Sequence, residues 1–446
     1  MSTLVANTPI VKTPVVNAPV ANAPVVNTRV LNARVVNAYA CRLCGAPLQR
    51  TLVDLGSTPL ANCYVTQAEA ASGVDRPYPL QVLVCDRCLL VQVGETIPPE
   101  AIFAADYAYF SSFSAGWVAH AQRYATAMIA RFGLDERSLV AEVASNDGYL
   151  LQHFLALGIP VLGIEPAGGV AEAARRIGVR TEQMFFGADT AAGLASRYGR
   201  ADLIAANNVL AHVPDLLGFV AGFTAMLRPE GVATFEFPHV LSLLEHVQFD
   251  TIYHEHFSYL SLLVVEHVLR DAGLRAFDVE CLATHGGSLR VFACHVNASH
   301  ATRHGRDAVR AQEAAAGLHR PETYDSFAPK VARIQHTFRA FVATERASGR
   351  LLAAYGAAAK GNTFLNSCGI TADDVICVAD RNPEKRGKLL PGSHIPVVFP
   401  EALAAARPDD VVILPWNLAE EIATELAPMR AAGTRLWVAV PEPHAV

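Results

Sequence analysis

The chain has 446 residues, room for about three domains of ordinary size. Hydrophobic residues make up 52% and charged residues 17%, which excludes a chain disordered throughout. A formal net charge of −6 argues against a nucleic-acid partner, and no apolar run of about 18 residues predicts a membrane-spanning helix.

Residues 1–36 repeat Asn-Ala-Pro-Val at 17–20 and 22–25, with variants at 27–30 and 32–35. Recurrent Pro and Asn break both helix and strand periodicity, and no charged start precedes a continuous apolar core. A disordered low-complexity leader is expected there rather than a secretory signal, and the protein is expected in the cytoplasm. Residues 37–103 hold Cys41-Arg-Leu-Cys44 and Cys85-Asp-Arg-Cys88. Each pair is a two-residue-spaced thiolate clamp, the bite tetrahedral zinc prefers. Four thiolates close the shell, so the expected zinc is structural, and Cys63 between the clamps is not needed. The nine cysteines are an odd number, which suits metal binding in a reducing compartment better than a disulfide framework.

From about 114 to 132, Trp117, Val118, Ala121, Tyr124, Met128 and Ile129 fit an amphipathic helix. Strand and helix patterns then alternate: Leu139–Val143, a helix after Gly148, Val161–Ile164, a helix around Ala171–Ile177, Leu203–Ala206, a helix through 216–228, and Val232–Phe237. That order predicts a mostly parallel, doubly wound sheet over 104–279. A second α/β unit is expected over 280–446. It opens with a strand-like Ser288–Val296 and helices at 307–318 and 324–346. Strands follow at Leu351–Tyr355, Val375–Val378, Val411–Leu414 and Leu436–Val440.

The turn Glu142-Val-Ala-Ser-Asn-Asp-Gly148 ends a strand and opens a helix, where backbone N–H groups approach a ligand. Glu165, seventeen residues after Gly148, ends the next strand, where a carboxylate accepts from ribose hydroxyls. It suits a dinucleotide or S-adenosylmethionine. The strict glycine pattern for pyrophosphate is missing, so the ligand is expected to carry none. Asn207-Asn-Val-Leu-Ala-His212 follows a further strand and would face a methionyl sulfur in such a sheet.

Asp250-Thr-Ile-Tyr-His-Glu-His-Phe-Ser-Tyr259 gathers two imidazoles, two carboxylates and two phenols. Such a mixture can abstract a proton near neutral pH and hydrogen-bond a developing oxyanion. His254-Glu-His256 lacks the i, i+4 spacing of a helical zinc protease, which disfavours a catalytic metal.

Taken together these motifs resemble the S-adenosylmethionine-dependent C-methyltransferases of deoxysugar biosynthesis, which act on 4-keto nucleotide sugars. The resemblance runs from Cys41 to the C-terminus. It also covers Gly56-Ser-Thr-Pro-Leu-Ala-Asn62, Tyr253-His-Glu-His-Phe257, His285-Gly-Gly-Ser-Leu-Arg290 and Tyr355-Gly-Ala-Ala-Ala-Lys-Gly-Asn362. It implies an α/β fold with a small zinc-binding module, a class I methyltransferase Rossmann-like domain, and a second Rossmann-like C-terminal domain. S-adenosylmethionine and structural zinc would be the cofactors. Glu142, Ser145, Asn146, Gly148, Glu165, Asn207 and Asn208 would hold the methyl donor. His256 would be the base, with Glu255 orienting it, Tyr253 and Tyr107 stabilising an enolate, and His212 near the sulfonium. His254 would point away. Lys360, Asn362 and Asp380 would hold the nucleotide sugar, expected to be linked to deoxythymidine diphosphate. No nucleic acid, membrane or obligate protein partner is implied. Methylation of a sugar heteroatom or another small ketone, or a zinc-ribbon RNA methyltransferase, are the rival readings.

Overall fold

The structure, a computed structural model, describes residues 39–94, 97–98 and 110–446. The expected leader at 1–36 and the expected enolate donor Tyr107 lie outside the described residues.

Strands β1 (Tyr39–Ala40) and β2 (Pro47–Leu48) pair antiparallel, and the first cysteine clamp lies in the turn between them. Strands β3 (Arg50–Thr58), β4 (Tyr78–Val84) and β5 (Val91–Val93) form an antiparallel sheet whose β4–β5 turn carries the second clamp. The two turns thus bring four sulfurs together from two separate hairpins.

The helix Ala115–Phe132 follows the expected periodicity. Ser114 caps it by accepting from the Trp117 N–H, Gly133 ends it at φ 63°, and Ala121, Tyr124, Ala125 and Met128 are buried. Then come the parallel strands β6 (Val140–Val143), β7 (Val161–Ile164), β8 (Thr181–Glu182), β9 (Ala201–Asn207) and β10 (Leu227–Pro238). Strand β11 (Ser258–Tyr259) leaves this unit and pairs with β5 of the cysteine-bearing sheet. Strands β12 (Leu274–Leu282) and β13 (Ser288–His295) complete a seven-stranded sheet ordered β12-β13-β10-β9-β6-β7-β8. Strands β6 and β7 are buried throughout, as a sheet covered by helices on both faces requires.

The strand expected at Ser288–Val296 joins the first sheet and not the C-terminal one: β13 pairs antiparallel with β10 from Val232↔Cys294 to Pro238↔Ser288. Its Leu289, Val291 and Ala293 fill the same core as Phe235 and Phe237. Strand periodicity alone cannot tell which sheet a strand joins.

The C-terminal sheet comprises β14 (Leu352–Tyr355), β15 (Val378–Ala379), β16 (Val397–Val398), β17 (Asp410–Ile413), β18 (Arg435–Val438) and β19 (His444–Ala445). Its order is β16-β15-β14-β17-β18-β19, parallel except for β19. The expected strand Val375–Val378 is shortened to β15. Asp374 accepts the Thr371 N–H and holds 371–374 in a turn, so the strand starts late.

The long helix Phe327–Ala347 buries Phe327, Val331, Ile334, Phe338 and Val342 along one face. That face packs in one core with Leu52 and Val82 of the first sheet, Phe249 and Phe257, and Leu352 and Val412 of the last. The segment 249–257 is therefore clamped between elements from both ends of the chain. In each doubly wound sheet the strand order reverses once, between β6 and β9 and between β14 and β17. Crevices outside the carboxyl ends of strands at such reversals are where ligands bind.

Candidate active site

The four sulfurs of Cys41, Cys44, Cys85 and Cys88 lie within 4.8 Å of one another. Cys41 to Cys88 and Cys44 to Cys85 are each 3.5 Å, spacings that suit one tetrahedral zinc bound by four thiolates. Gln92 donates to Cys41 Sγ at 3.2 Å, an outer contact that supports the thiolate. Arg42, inside the first clamp, donates to the carbonyls of Val93 (2.9 Å) and Phe257 and to Ser258 Oγ (3.3 Å).

At the carboxyl end of β6 the turn takes left-handed backbone at Ala144 (φ 56°), Asn146 (φ 49°) and Gly148 (φ 81°). Any side chain on Gly163 of β7 would strike Ser145 Oγ, since a Cβ there would lie 2.5 Å from it. Glu165 accepts the N–H groups of Asn146 (2.9 Å) and Ala167 (2.8 Å), which ties the two loops together. Burial raises the Glu165 carboxyl above its usual range and pushes Glu142 well above it. Ser145 Oγ, Asp147 Oδ1 and Asn208 Oδ1 are buried with no hydrogen-bond partner among the described residues. A cluster of acceptors awaiting donors fits a ligand that presents ribose hydroxyls and an ammonium group. S-adenosylmethionine is such a ligand.

After β9, the turn Leu210–His212 presents His212 toward the segment 250–259. His212 Nδ1–H donates to the Glu255 carbonyl at 2.8 Å, and burial pulls its pKa down to about 4. His256 Nδ1–H donates to the Thr251 carbonyl at 2.8 Å, which puts the basic lone pair on Nε2. The two imidazole centroids are 4.7 Å apart, and the Tyr253 ring lies 4.0 Å from His256. Burial first, then His212, His285 and Lys360, hold His256 well below the usual imidazole range. That direction favours the neutral imidazole at physiological pH.

His254 turns the other way: it reaches the Pro79 carbonyl (3.1 Å) and packs edge-on to Tyr78. The Glu255 carboxyl group bonds Asn62 Nδ2 at 2.6 Å, and burial raises it to about 7. Asp250 is buried and accepts from Trp416 Nε1 at 2.7 Å.

The loops after β14 and β17 lie beside the same segment, since Trp416 bonds Asp250 and Lys360 meets Trp416. Lys360, following the glycine loop after β14, donates to Asn417 Oδ1 at 2.7 Å and sits 4.8 Å from the Trp416 ring centre. Asn362 is fully buried; its Oδ1 accepts from Asn366 Nδ2 at 3.1 Å, and its Nδ2 has no hydrogen-bond partner among the described residues. Asp380 accepts the Asn382 N–H at 2.8 Å and pairs with Lys385 at 3.3 Å, which makes it a turn-former.

Several residues of the site escaped the sequence reading. Asn62 and His285 both stood inside motifs of the resemblance without a role. His285 is half-buried beside Asn208 (3.2 Å) and adopts φ 53°. Trp416 and Asn417 carried one signal, their place just past a parallel strand at the order reversal. Arg42 and Tyr64 carried none.

Three family models match the chain in succession: a zinc binding domain over residues 41–103, a methyltransferase domain over 117–279, and a C-methyltransferase C-terminal domain over 283–441. The C-methyltransferase NovU of Streptomyces niveus is 36% identical over 406 residues, which span 91% of this chain and 96% of that protein. The chain belongs to the C-methyltransferase family. It is an S-adenosylmethionine-dependent enzyme with a zinc-binding module. Among solved structures, it resembles the Burkholderia thailandensis 1,6-didemethyltoxoflavin-N1-methyltransferase bound to S-adenosylhomocysteine. That likeness has a TM-score of 0.34 and 20% identity, over 47% of this chain and 96% of that one. The Synechocystis magnesium protoporphyrin IX methyltransferase has a TM-score of 0.33 and 16% identity, over 40% and 84%.

Proposed function

We propose that this C-methyltransferase acts on a nucleotide-linked 4-keto-deoxysugar, at C3 and through an enolate, in deoxysugar biosynthesis. One observation carries the reading. His256 lies 4.7 Å from His212, which follows β9 of the first sheet, and its segment is tied through Asp250 to Trp416, which follows β17 of the second. A sugar carbon could meet a methyl group there while its nucleotide handle rests on the second sheet. The handle is taken to be deoxythymidine diphosphate, and the protein to work in the cytoplasm.

His256 Nε2 takes the C3 proton, whose bonding pair becomes the C3=C4 double bond while the carbonyl pair moves onto O4. His212 and the Glu255 carbonyl hold the ring side of the pocket, and the His212 Nδ1 proton is committed to that carbonyl. Tyr253, its ring tilted against His256, supplies a hydroxyl donor toward the oxyanion. Tyr107 is assigned the same task. S-adenosylmethionine, when bound, would supply the electrophilic methyl for C3, with the C–S bonding pair left on sulfur. Glu142, Ser145, Asn146, Gly148, Glu165, Asn207 and Asn208 hold it. Base and oxyanion donors each contribute roughly 10²–10³-fold or more.

The test is incubation with methyl donor and a panel of 4-keto-deoxysugar nucleotides, with the product located by mass and NMR. A new methyl on C3 supports the reading; a methyl on oxygen or nitrogen sinks it. A C4 ketone also acidifies C5, so a methyl on C5 would keep the enolate and move the position.

A further inference from the structure

We infer that Lys360 belongs to the reaction centre, where its ammonium stabilises the enolate oxygen, and does not serve as the diphosphate ligand of the glycine loop. The inference rests on the ketosugar reading above and deepens it.

The position of the ammonium decides between the two roles. A lysine that closes a phosphate cradle reaches back over its own loop. Lys360 reaches across the order reversal instead, from the loop after β14 to the loop after β17, where it meets Trp416 and Asn417. Trp416 in turn donates to Asp250 Oδ2, at the head of the segment that carries His256. One of the three N–H bonds of the ammonium goes to Asn417 Oδ1 (2.7 Å). The ammonium also bears on the imidazoles of His256 and His285, pressing both toward the neutral form.

The glycine loop has a second lysine on its other side. Lys385 Nζ donates to the Ala357 carbonyl at 2.7 Å, which also accepts from Tyr64. Lys385 lies on the segment 381–388, which also carries Arg381, Arg386 and Lys388. Lys385, itself paired with Asp380, thus brings a cation to the glycine loop without Lys360.

A cation beside a neutral base has a definite consequence. It opposes protonation of His256 when the site holds no anion. Once the C3 proton moves to His256 and O4 takes up the charge, the same cation faces an anion in a poorly solvated crevice. The stabilisation appears as the enolate forms, the condition for lowering a barrier.

Two measurements on the zinc-loaded full chain test this. The first is exchange of the C3 hydrogen of a 4-keto-deoxysugar nucleotide with solvent deuterium, at saturating substrate and without methyl donor. The second is calorimetric binding of thymidine diphosphate. For Lys360→Met, exchange should fall by about 100-fold or more while thymidine diphosphate affinity stays within about twofold of wild type. Exchange within about threefold of wild type, or thymidine diphosphate affinity reduced tenfold or more, overturns the assignment. Zinc content and thermal unfolding report whether the variant folds. If it does not, Lys360→Arg replaces it, with exchange lowered and nucleotide binding kept as the same expected pair. A wild-type enzyme that exchanges no ketosugar proton overturns the ketosugar reading itself, an outcome distinct from a wild type that exchanges beside an equally fast variant.

Discussion

The Arg42 guanidinium donates to the Phe257 carbonyl, so a residue between two zinc ligands holds the backbone immediately after His256. Its other bonds, to Val93 and Ser258, make the zinc-binding turn a strut for the proton-transfer segment. Hydrogen bonds from a charged donor are typically worth about 1.5–3 kcal/mol each. Arg42→Met should leave zinc bound but lower methyl transfer at least tenfold through kcat, with little change in methyl-donor affinity. Chelation of zinc should first raise amide hydrogen exchange over 253–259. Metal loss with unchanged exchange there would refute the strut.

His256→Ala should reduce methyl transfer by about 10²–10⁴-fold while circular dichroism stays unaltered. The acid limb of kcat/KM should fall well below pH 6.5, because burial first, then the neighbouring His212, His285 and Lys360, oppose protonation. A histidine with its usual pKa would instead place that limb near 6.5. Near-normal turnover by the variant would remove His256 from the mechanism.

Much of this architecture could be read before any coordinates. Thiolate spacing gave the metal module, and buried β-rich runs gave β6, β7, β9, β10, β14 and β17, because a sheet covered on both faces needs continuous apolar strands. What stayed hidden was pairing between distant segments. Ser288–His295 has an ordinary strand pattern, and only its register with β10 assigns it to the first sheet. The direction of a long side chain is equally invisible: nothing in the pattern around Lys360 says that its ammonium meets Trp416 and Asn417.

Gly286 packs closely against Trp416 of the C-terminal unit. It has φ 85°, and a Cβ there would lie 2.4 Å from Trp416 Cη2 and 2.7 Å from Gln248 Nε2. Gly286→Ala therefore adds backbone strain and displaces the indole that bonds Asp250. A cost of about 1–3 kcal/mol is expected, visible as a lower Tm. The near-UV circular dichroism of the tryptophans should change and methyl transfer should fall. A variant with wild-type Tm and spectrum would show that the indole is not held against this loop.

Glu255 offers a test by pH. Burial raises its carboxyl to about 7, opposed only in part by Asn62. An unfolded glutamate titrates near 4.3, so between those values the folded protein binds more protons than the unfolded chain. Stability then falls as pH rises from about 4.3 to about 7, and the loss persists above that range. Glu255→Gln keeps a hydrogen-bonding partner for Asn62 but never ionises. It should unfold at a higher temperature than wild type at pH 8, and the two should converge below about pH 4.3. If the Tm difference is the same at pH 8 and pH 4, Glu255 does not ionise with a raised pKa, and it is then an ordinary carboxylate in the fold.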